Sequence, residues 1–298
     1  MPICNRKIDI HAHAVLTDCP DPYLVCLPTP ESVLARYDQF GIEKGLLLPI
    51  VTADSMPFIS STETVRQVVA LYPDRFLFGM GLDPRMCGNR RDADFGPLIK
   101  FYRAKGARSV GEVTANLYID DPRYDNLFAQ CAAYDMPITI HISPEVGFTY
   151  GMVDEPGLYR LEAMLKKHPK LKVLAHSPAF WTHMASGVTS ADMKRYPEPG
   201  KIQPGRLWTL FETYDNLYGD LSGCSGYYGL TRDEENGIRF LNTFADRMLF
   251  GCDFCVPSHT GLLAMWLDQQ YLAGTLSEAV YWKICRENAV KLLKLEET

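Results

Sequence analysis

Short apolar segments rich in β-branched residues recur about every 35 residues along the chain, and helical patterns separate them. Most are too short for buried helices, and their composition is that of parallel strands covered on both faces. A regular alternation of such strands with helices is typical of repeated β–α units. We predict eight strands, which span residues 7–12, 44–50, 76–82, 108–113, 137–142, 171–175, 216–221 and 248–252.

Eight strand–helix units in a chain of 298 residues fit a (β/α)8 TIM barrel of the α/β class better than an open, doubly wound sheet. The longest interval between strands follows the sixth one and contains the glycine- and proline-rich stretch Thr182–Pro204. We predict that this insertion is a loop over the strand ends. Because no linker or composition shift divides the chain, residues 1–298 are expected to form a single domain.

Two helix starts can be predicted from capping residues. Thr29 and Pro30 precede a helical segment that ends before Gly41, which is the usual placement of proline and glycine. Ser60 followed by Glu63 has the spacing of a capping box, so we predict that Ser60 caps the helix after the second strand.

Acidic residues outnumber basic ones by 36 to 30, which gives a net charge of −6. A nucleic-acid-binding protein would normally carry a basic excess, so we expect a small-molecule partner and no nucleic acid. No apolar run reaches the roughly 20 residues of a membrane-spanning helix, so no membrane is expected. The nine scattered cysteines and a start without a signal-like apolar core predict a cytoplasmic protein, with homo-oligomer formation left open.

The first predicted strand runs into the sequence Asp9-Ile10-His11-Ala12-His13. Because alternate residues of a strand share a face, Asp9, His11 and His13 are predicted to point the same way. Two imidazoles on the inner wall of a barrel are hard to explain as packing, and they suit a divalent metal with a preference for nitrogen, such as zinc. Asp9 lies one layer deeper, and we expect it to brace a ligand rather than to bind metal.

Further side chains of the ligand type fall at the ends of other predicted strands. In a barrel, all these ends come out at one face, where active sites are built. Each residue alone has an ordinary explanation as a hydrogen-bonded core histidine, a salt-bridge partner or a helix cap. Their joint position instead predicts a metal centre. These residues are Glu112 on the fourth strand, His141 on the fifth, His176 on the sixth and Asp253 on the eighth.

In these residues the sequence resembles the amidohydrolase superfamily, specifically its amidohydrolase-2 branch of metal-dependent barrel hydrolases. The resemblance includes the segments Leu249–Asp253 and Glu287–Leu293, and it covers essentially the whole chain. It implies that His176 either binds a second metal ion or polarises the substrate. The metal ligands that it implies are His11, His13, His141 and Asp253.

The fourth strand departs from the pattern of many members with two metal ions, which carry a carboxylated lysine there. This chain has Glu112 at that place, which is similar to TatD-type hydrolases, where the glutamate is a metal ligand. The implied cofactor is therefore one or two divalent ions, with zinc first and manganese or another transition metal as the alternative.

The resemblance implies a hydrolase that uses a metal-activated water on an amide, ester or lactone bond of a small molecule. Asp253 would then act as the general base, and His176 would stabilise charge on the carbonyl oxygen. The same branch contains metal-dependent decarboxylases of aromatic or muconate-type acids, which is the alternative. A third hypothesis is a barrel without catalytic activity that serves in ligand binding or regulation.

Substrate contacts must come from the loops. Arg85 follows the third strand and is a candidate clamp for a carboxylate, although it is equally consistent with a surface residue. Tyr150 and Trp181 follow the fifth and sixth strands, and their rings suit a planar or apolar substrate or, equally, the packing of the insertion. We expect all three residues to bind substrate.

Overall fold

The computed structural model describes residues 6–17, 27–55, 59–256 and 259–295. All eight predicted strands are present, most of them shorter than predicted, and a ninth short strand lies in the loop after the fifth. The strands are β1 (Lys7–Ala12), β2 (Ile42–Leu47), β3 (Phe76–Phe78), β4 (Val110–Val113), β5 (Ile138–Ser143), β6 (Met152–Val153), β7 (Val173–His176), β8 (Leu217–Asp220) and β9 (Met248–Leu249).

The strands form a closed ring. Parallel pairing joins β1, β2 and β3 in one sheet, and β4, β5, β7, β8 and β9 in a second, with β6 paired to β5 off this path. Between the two sheets, the Met80 N–H donates to the Ser109 carbonyl at 2.9 Å next to β4. On the other side, the Asp253 N–H donates to the His11 carbonyl at 2.7 Å and joins the chain after β9 to β1. The predicted (β/α)8 barrel is therefore confirmed.

Helices connect the strands and cover the outside of the ring. The longer ones are α1 (Pro30–Phe40), α2 (Thr62–Leu71), α4 (Gly96–Ala104), α5 (Pro122–Ala133), α6 (Tyr159–Lys167), α8 (Arg206–Thr213), α9 (Gly223–Thr231), α10 (Glu234–Thr243) and α11 (Leu262–Leu272). The shorter ones are α3 (Met86–Asn89), α7 (Pro178–Trp181), α12 (Glu278–Trp282) and α13 (Asn288–Leu293), with a π-helical segment at Lys283–Glu287 between the last two. Three 3-10 turns lie at Thr182–Met184, Asp192–Lys194 and Ala245–Arg247.

One helix cap was predicted correctly and the other is displaced by one residue. The Thr29 hydroxyl caps α1 by accepting from the Ser32 N–H, and Gly41 ends that helix at φ +67°. Ser61 rather than Ser60 caps α2, because the backbone of Ser60 is already paired with Ile50 in an antiparallel bridge.

The interior of the barrel below the site is filled with aliphatic side chains. Ile8 and Ile10 of β1 belong to the same buried cluster as Leu174 of β7 and Leu249 of β9. Since β1 and β7 are not neighbours in the ring, these side chains meet across its interior. The dry floor that they form supports the polar residues at the carboxyl ends of the strands.

A bulge in β1 reverses the direction of its side chains. Between Asp9 and Ala12, β1 advances three residues while β2 advances two. Asp9 therefore points outward, where its carboxylate accepts a hydrogen bond from the Tyr37 hydroxyl of α1 at 2.9 Å. His11 and His13 point into the barrel mouth. The prediction that Asp9 shares their face is wrong.

The predicted insertion lies over the carboxyl ends of the strands, as expected. Its two ends are tied together by an antiparallel bridge between Ala185 and Pro204 and by the Ser186 N–H, which donates to the Gln203 carbonyl at 3.0 Å. Between these ends, the segment brings Tyr196 to the wall of a cavity. The insertion therefore contributes to the functional face of the barrel.

His183 connects the start of the insertion to the chain before α6. Its Nδ1–H donates to the Ala179 carbonyl at 2.8 Å, and its Nε2 accepts from the Gly157 N–H at 3.0 Å. This arrangement requires a neutral imidazole, and burial lowers the pKa of His183 from 6.5 to about 4. Protonation is therefore opposed in the folded state.

We expect His183 to make folding stability depend on pH. Above pH 6.5 its contribution is complete, and it is lost as the pH falls towards 4, because only the unfolded chain takes up the proton. The loss between pH 7.5 and pH 5 should be about 2 kcal/mol. Urea unfolding of the wild type and of His183→Gln at both pH values measures it. An equal pH dependence in the two proteins would contradict this assignment.

Among the described residues, no helix combines the length and the apolar character needed to cross a membrane.

Candidate metal centre

Six side chains of the ligand type converge at the carboxyl ends of five strands. Five of them are buried. The side chain of Asp253 is 20 % exposed, and its carboxylate faces a cavity that lies above the centre. In three overlapping sets of three residues within this region, the potential ligand atoms lie within 4.8 Å of one another. The six residues are His11, His13, Glu112, His141, His176 and Asp253.

The first part of the centre surrounds the two histidines of β1. Their Nε2 atoms lie 3.2 Å apart, and each is 3.6 Å from Oε2 of Glu112. Oδ1 of Asp253 lies 3.5 Å from Nε2 of His13 and 3.8 Å from Nε2 of His11. Two nitrogens and two carboxylate oxygens thus face a common point, which is a donor set that suits a divalent cation.

The second part of the centre is reached by the other oxygens of the same two carboxylates. Oε1 of Glu112 lies 2.9 Å from Nδ1 of His141, and Oδ2 of Asp253 lies 3.5 Å from Nε2 of His176. The rings of His141 and His176 are 5.3 Å apart. Glu112 and Asp253 therefore connect both halves of the centre.

Hydrogen bonds behind the two β1 histidines fix the orientation of their rings. Nδ1 of His11 lies 2.6 Å from Oδ2 of Asp220, and Nδ1 of His13 lies 2.9 Å from the carbonyl oxygen of Leu48. Because both partners are acceptors, each Nδ1 carries the hydrogen, and each Nε2 offers a lone pair to the centre. This is the usual arrangement behind a metal-bound histidine.

Asp220 is a residue of the centre that the sequence analysis did not assign to it. It ends β8, the seventh barrel strand, in the same position as the residues that were identified on the other strands. Its carboxylate is completely buried and lies behind His11. The position at a strand end was the available signal, but an isolated aspartate there has no spacing relation to His11 in the sequence.

Electrostatics also favour a cation at this point. Burial alone would raise the pKa values of Glu112 and Asp253, but the neighbouring histidines hold both well below their usual values. Burial would lower the pKa of His11, but Asp220 and Glu112 raise it well above its usual value. The centre therefore contains two largely buried, ionised carboxylates, and these stabilise a positive charge between them.

Asp253 is positioned by its backbone. It has φ +50°, a left-handed conformation that aspartate tolerates better than most residues. Gly223 of α9 allows its carboxylate to lie close, because a Cβ atom there would be 3.0 Å from Oδ2 of Asp253. The carboxylate is therefore directed at the centre by the closure of the barrel and by a neighbouring glycine.

Asp9 supports the centre through the backbone alone. Its Oδ1 accepts from the N–H groups of His11 and Cys252, each at 2.9 Å, and so ties the bulge of β1 to the segment before Asp253. Burial raises the pKa of Asp9 to about 7. The contact with the His11 N–H fits the predicted bracing role of Asp9.

A cavity of about 250 Å³ opens above the centre. His141, His176 and Asp253 form part of its floor, and the insertion and the loop after β5 form its walls. Tyr150 lines it with a ring that is 4.5 Å from the ring of His141. Tyr150 therefore stands where a substrate-binding residue was predicted.

Trp181 and Arg85 do not stand where substrate contact was predicted. Trp181 is fully buried, and its indole N–H donates to the backbone oxygen of Asp220 at 2.9 Å, so it is a core residue. Arg85 is outside the cavity lining, and its guanidinium already binds the carboxylates of Asp83 and Asp54. These two expectations are corrected, because partners within the chain already occupy both side chains.

We expect Asp220→Asn to weaken metal binding by 10- to 100-fold, because it removes the anionic partner of His11. Competition with a chromophoric chelator measures the affinity. Asp215→Asn is a matched control, since Asp215 is exposed just before the same strand. Equal affinities of the two variants would show that the Asp220–His11 contact does not tune the centre.

The chain is similar to known proteins over nearly its whole length. The amidohydrolase family profile matches residues 8–295. An uncharacterized TIM-barrel protein from Bordetella bronchiseptica is 17% identical with a TM-score of 0.65, with coverage of 97% of this chain and 98% of that one. No curated protein matches the sequence.

Two other solved structures carry functional descriptions. A probable 2-pyrone-4,6-dicarboxylic acid hydrolase from Acinetobacter baumannii is 16% identical, with a TM-score of 0.59 and coverage of 97% and 99% of the two chains. A dihydroxybenzoic acid decarboxylase from Polaromonas sp. JS666, solved with manganese and an inhibitor, is 21% identical, with a TM-score of 0.61 and coverage of 99% and 98%. At these identities the likeness shows the fold, whereas the match of the family profile shows descent. The protein therefore belongs to the amidohydrolase family and is an enzyme of the amidohydrolase superfamily.

Proposed function

We propose that the enzyme is a metal-dependent hydrolase that cleaves an amide, ester or lactone bond of a small molecule. The observation that carries the proposal is the position of Asp253. Its carboxylate lies within 3.8 Å of three histidine nitrogens and is exposed to the cavity. A general base must contact the reacting water and must also be accessible from the side of the substrate. The position of Asp253 between the histidines and the cavity suits both requirements.

The residues that would hold the metal are His11, His13, Glu112 and Asp253, with His141 and His176 available for a second ion. Nitrogen donors mixed with carboxylates favour zinc, and manganese is the alternative. When bound, the ion supplies a Lewis acid and lowers the pKa of water towards neutrality.

Asp253 would accept the proton from the attacking water and later deliver it to the leaving group. The low pKa of Asp253 keeps this carboxylate ionised before the reaction. The rings of His11 and His13 next to it are fixed by Asp220 and by the carbonyl oxygen of Leu48. Little reorganisation of the site is then needed during the reaction.

His176 would stabilise the developing charge on the carbonyl oxygen. Its Nδ1 lies 3.0 Å from the hydroxyl of Ser222 and 3.3 Å from that of Ser225. When a hydroxyl donates to Nδ1, the hydrogen of the ring is on Nε2, which faces Asp253 and the cavity. Tyr150 would contact the substrate from the wall.

Decarboxylation of an aromatic acid is the second candidate. The aromatic rings of Phe148, Tyr150 and Tyr196 line the cavity and suit a planar substrate. The two reactions differ in their products, because only decarboxylation releases carbon dioxide.

A product assay decides between the two. Metal-loaded protein is incubated with aryl esters, lactones and anilides, and separately with hydroxybenzoates, and both the acid released and carbon dioxide are measured. The proposal expects release of acid and no carbon dioxide. Carbon dioxide from a hydroxybenzoate, with every ester, lactone and amide unchanged, would replace it with the second candidate.

A further inference from the structure

We propose that the substrate is uncharged outside its reacting bond and carries an aromatic or other apolar ring. This inference rests on the proposed function and adds the substrate class. It follows from the chemistry of the cavity walls.

The walls above the metal centre are apolar and aromatic. The loop after β5 contributes Phe148 and Tyr150, and the insertion contributes Met193 and Tyr196. Most of the remaining lining residues are apolar or small side chains that carry no charge. They are Ile142, Pro144, Thr149, Pro178, Ala179, Cys224, Ser225 and Cys255.

Lys194 is the one lysine or arginine among the described residues that line the cavity, and it is already paired. Its Nζ lies 2.7 Å from Oε1 of Glu145, and the ammonium is 5.2 Å from the centre of the Phe148 ring. The pair connects the insertion to the loop after β5 at the cavity rim. Lys194 therefore offers little net charge to a substrate carboxylate.

The residues outside the described ranges supply no further cation. Residues 1–5, 18–26, 56–58, 257–258 and 296–298 contain no lysine, arginine or histidine. Arg85, the candidate clamp, donates to Asp83 and Asp54. Among the described residues that line the cavity, a second carboxylate on the substrate would thus find no unpaired guanidinium or ammonium.

A centre that holds a single divalent ion would not supply this missing charge either. The carboxylates of Glu112 and Asp253 together offset the two charges of one divalent ion. A substrate anion away from the reacting bond would be transferred from water into an apolar cavity without a partner, which is unfavourable.

The rim of the cavity is also apolar. Phe148 and Tyr196 are each 46% exposed, and Val146, in the same loop as Phe148, is 57% exposed. Exposed apolar side chains grouped around a cavity mouth are typical of a site that binds an apolar ligand. The rim and the walls therefore favour the same class of substrate.

The test uses two nearly isosteric esters whose para substituents differ in charge, 4-acetoxybenzamide and 4-acetoxybenzoate, and each rate is divided by that of the ester's hydrolysis in buffer. We expect kcat/KM of the metal-loaded wild type to be at least about ten-fold higher for the benzamide, which corresponds to about 1.4 kcal/mol. This ratio is unaffected by non-productive binding of the benzoate to the metal. A ratio of one or less would overturn the proposal.

Two variants at the rim test the charge argument. Glu145→Gln releases Lys194 and should raise kcat/KM for the benzoate about five-fold while leaving the benzamide unchanged. Lys194→Gln is the matched control and should keep the wild-type preference. If the wild type prefers the benzoate and Lys194→Gln abolishes that preference, Lys194 is a carboxylate clamp and the proposal is wrong.

A binding measurement separates this inference from the proposed function. Calorimetry on the metal-loaded wild type compares 4-methoxybenzamide with 4-methoxybenzoate, neither of which contains a hydrolysable ester. Tighter binding of the benzamide supports the substrate class even if no ester is cleaved, in which case only the hydrolase proposal fails. Tighter binding of the benzoate that is lost in Lys194→Gln, or no binding of either ligand at millimolar concentration, contradicts the substrate class.

Discussion

Replacing Asp253 by asparagine is expected to lower kcat/KM about 1,000-fold while much of the metal stays bound. The amide has nearly the same shape as the carboxylate but cannot accept the proton from water, and loss of a general base typically has an effect of this size. His11, His13 and Glu112 would remain as ligands. Steady-state kinetics and elemental analysis of the same preparation measure both quantities.

The control for this variant is Asp246→Asn. Asp246 is an exposed aspartate that binds Lys283 away from the centre, so its replacement should leave the kinetics unchanged. Full activity of Asp253→Asn would show that another group accepts the proton. Loss of all metal from Asp253→Asn would show that Asp253 is needed chiefly as a ligand.

Removal of the divalent ion is expected to abolish activity and to lower the melting temperature by about 10 °C. Without the cation, the buried carboxylates of Glu112 and Asp253 lose their counter-charge, and an uncompensated buried charge is costly. A ligand present at 1,000 times its dissociation constant stabilises the folded state by about 4 kcal/mol, which gives a shift of this order. Dialysis against a chelator, followed by kinetics and calorimetry, measures both effects.

Restoring each metal separately provides the control for chelation. Activity and melting temperature should return together on addition of zinc or manganese, and magnesium should restore neither, because it disfavours histidine ligands. Full activity after complete removal of metal would contradict the proposed mechanism. A melting temperature that does not change would show that the centre does not bind metal tightly.

Most of the fold could be predicted from sequence because parallel strands covered on both sides are continuous apolar runs. Segments such as Phe76–Phe78 and Val173–His176 are apolar along most of their length, and the helices between the strands carry recognisable caps. The bulge of β1 could not be predicted. It depends on the register between β1 and β2, which no local pattern of the residues around Asp9 reveals.

The site was predictable to the extent that it depends on topology. The closed ring brings strand ends together, so ligand-type residues at those ends necessarily converge. Side-chain partners were not predictable, because they come from distant segments. The indole of Trp181 binds the backbone of Asp220, and the guanidinium of Arg85 binds Asp54, and both contacts exclude the predicted substrate roles.

The central claim is that imidazoles and carboxylates from distant parts of the chain surround a divalent cation at the mouth of the barrel. Anomalous diffraction from crystals of the zinc-loaded protein tests it most directly. We predict a peak within coordination distance of Nε2 of His11, Nε2 of His13 and the carboxylates of Glu112 and Asp253, and its loss in the double variant His11→Ala, His13→Ala. An absence of any peak between these side chains in fully loaded crystals would contradict the account.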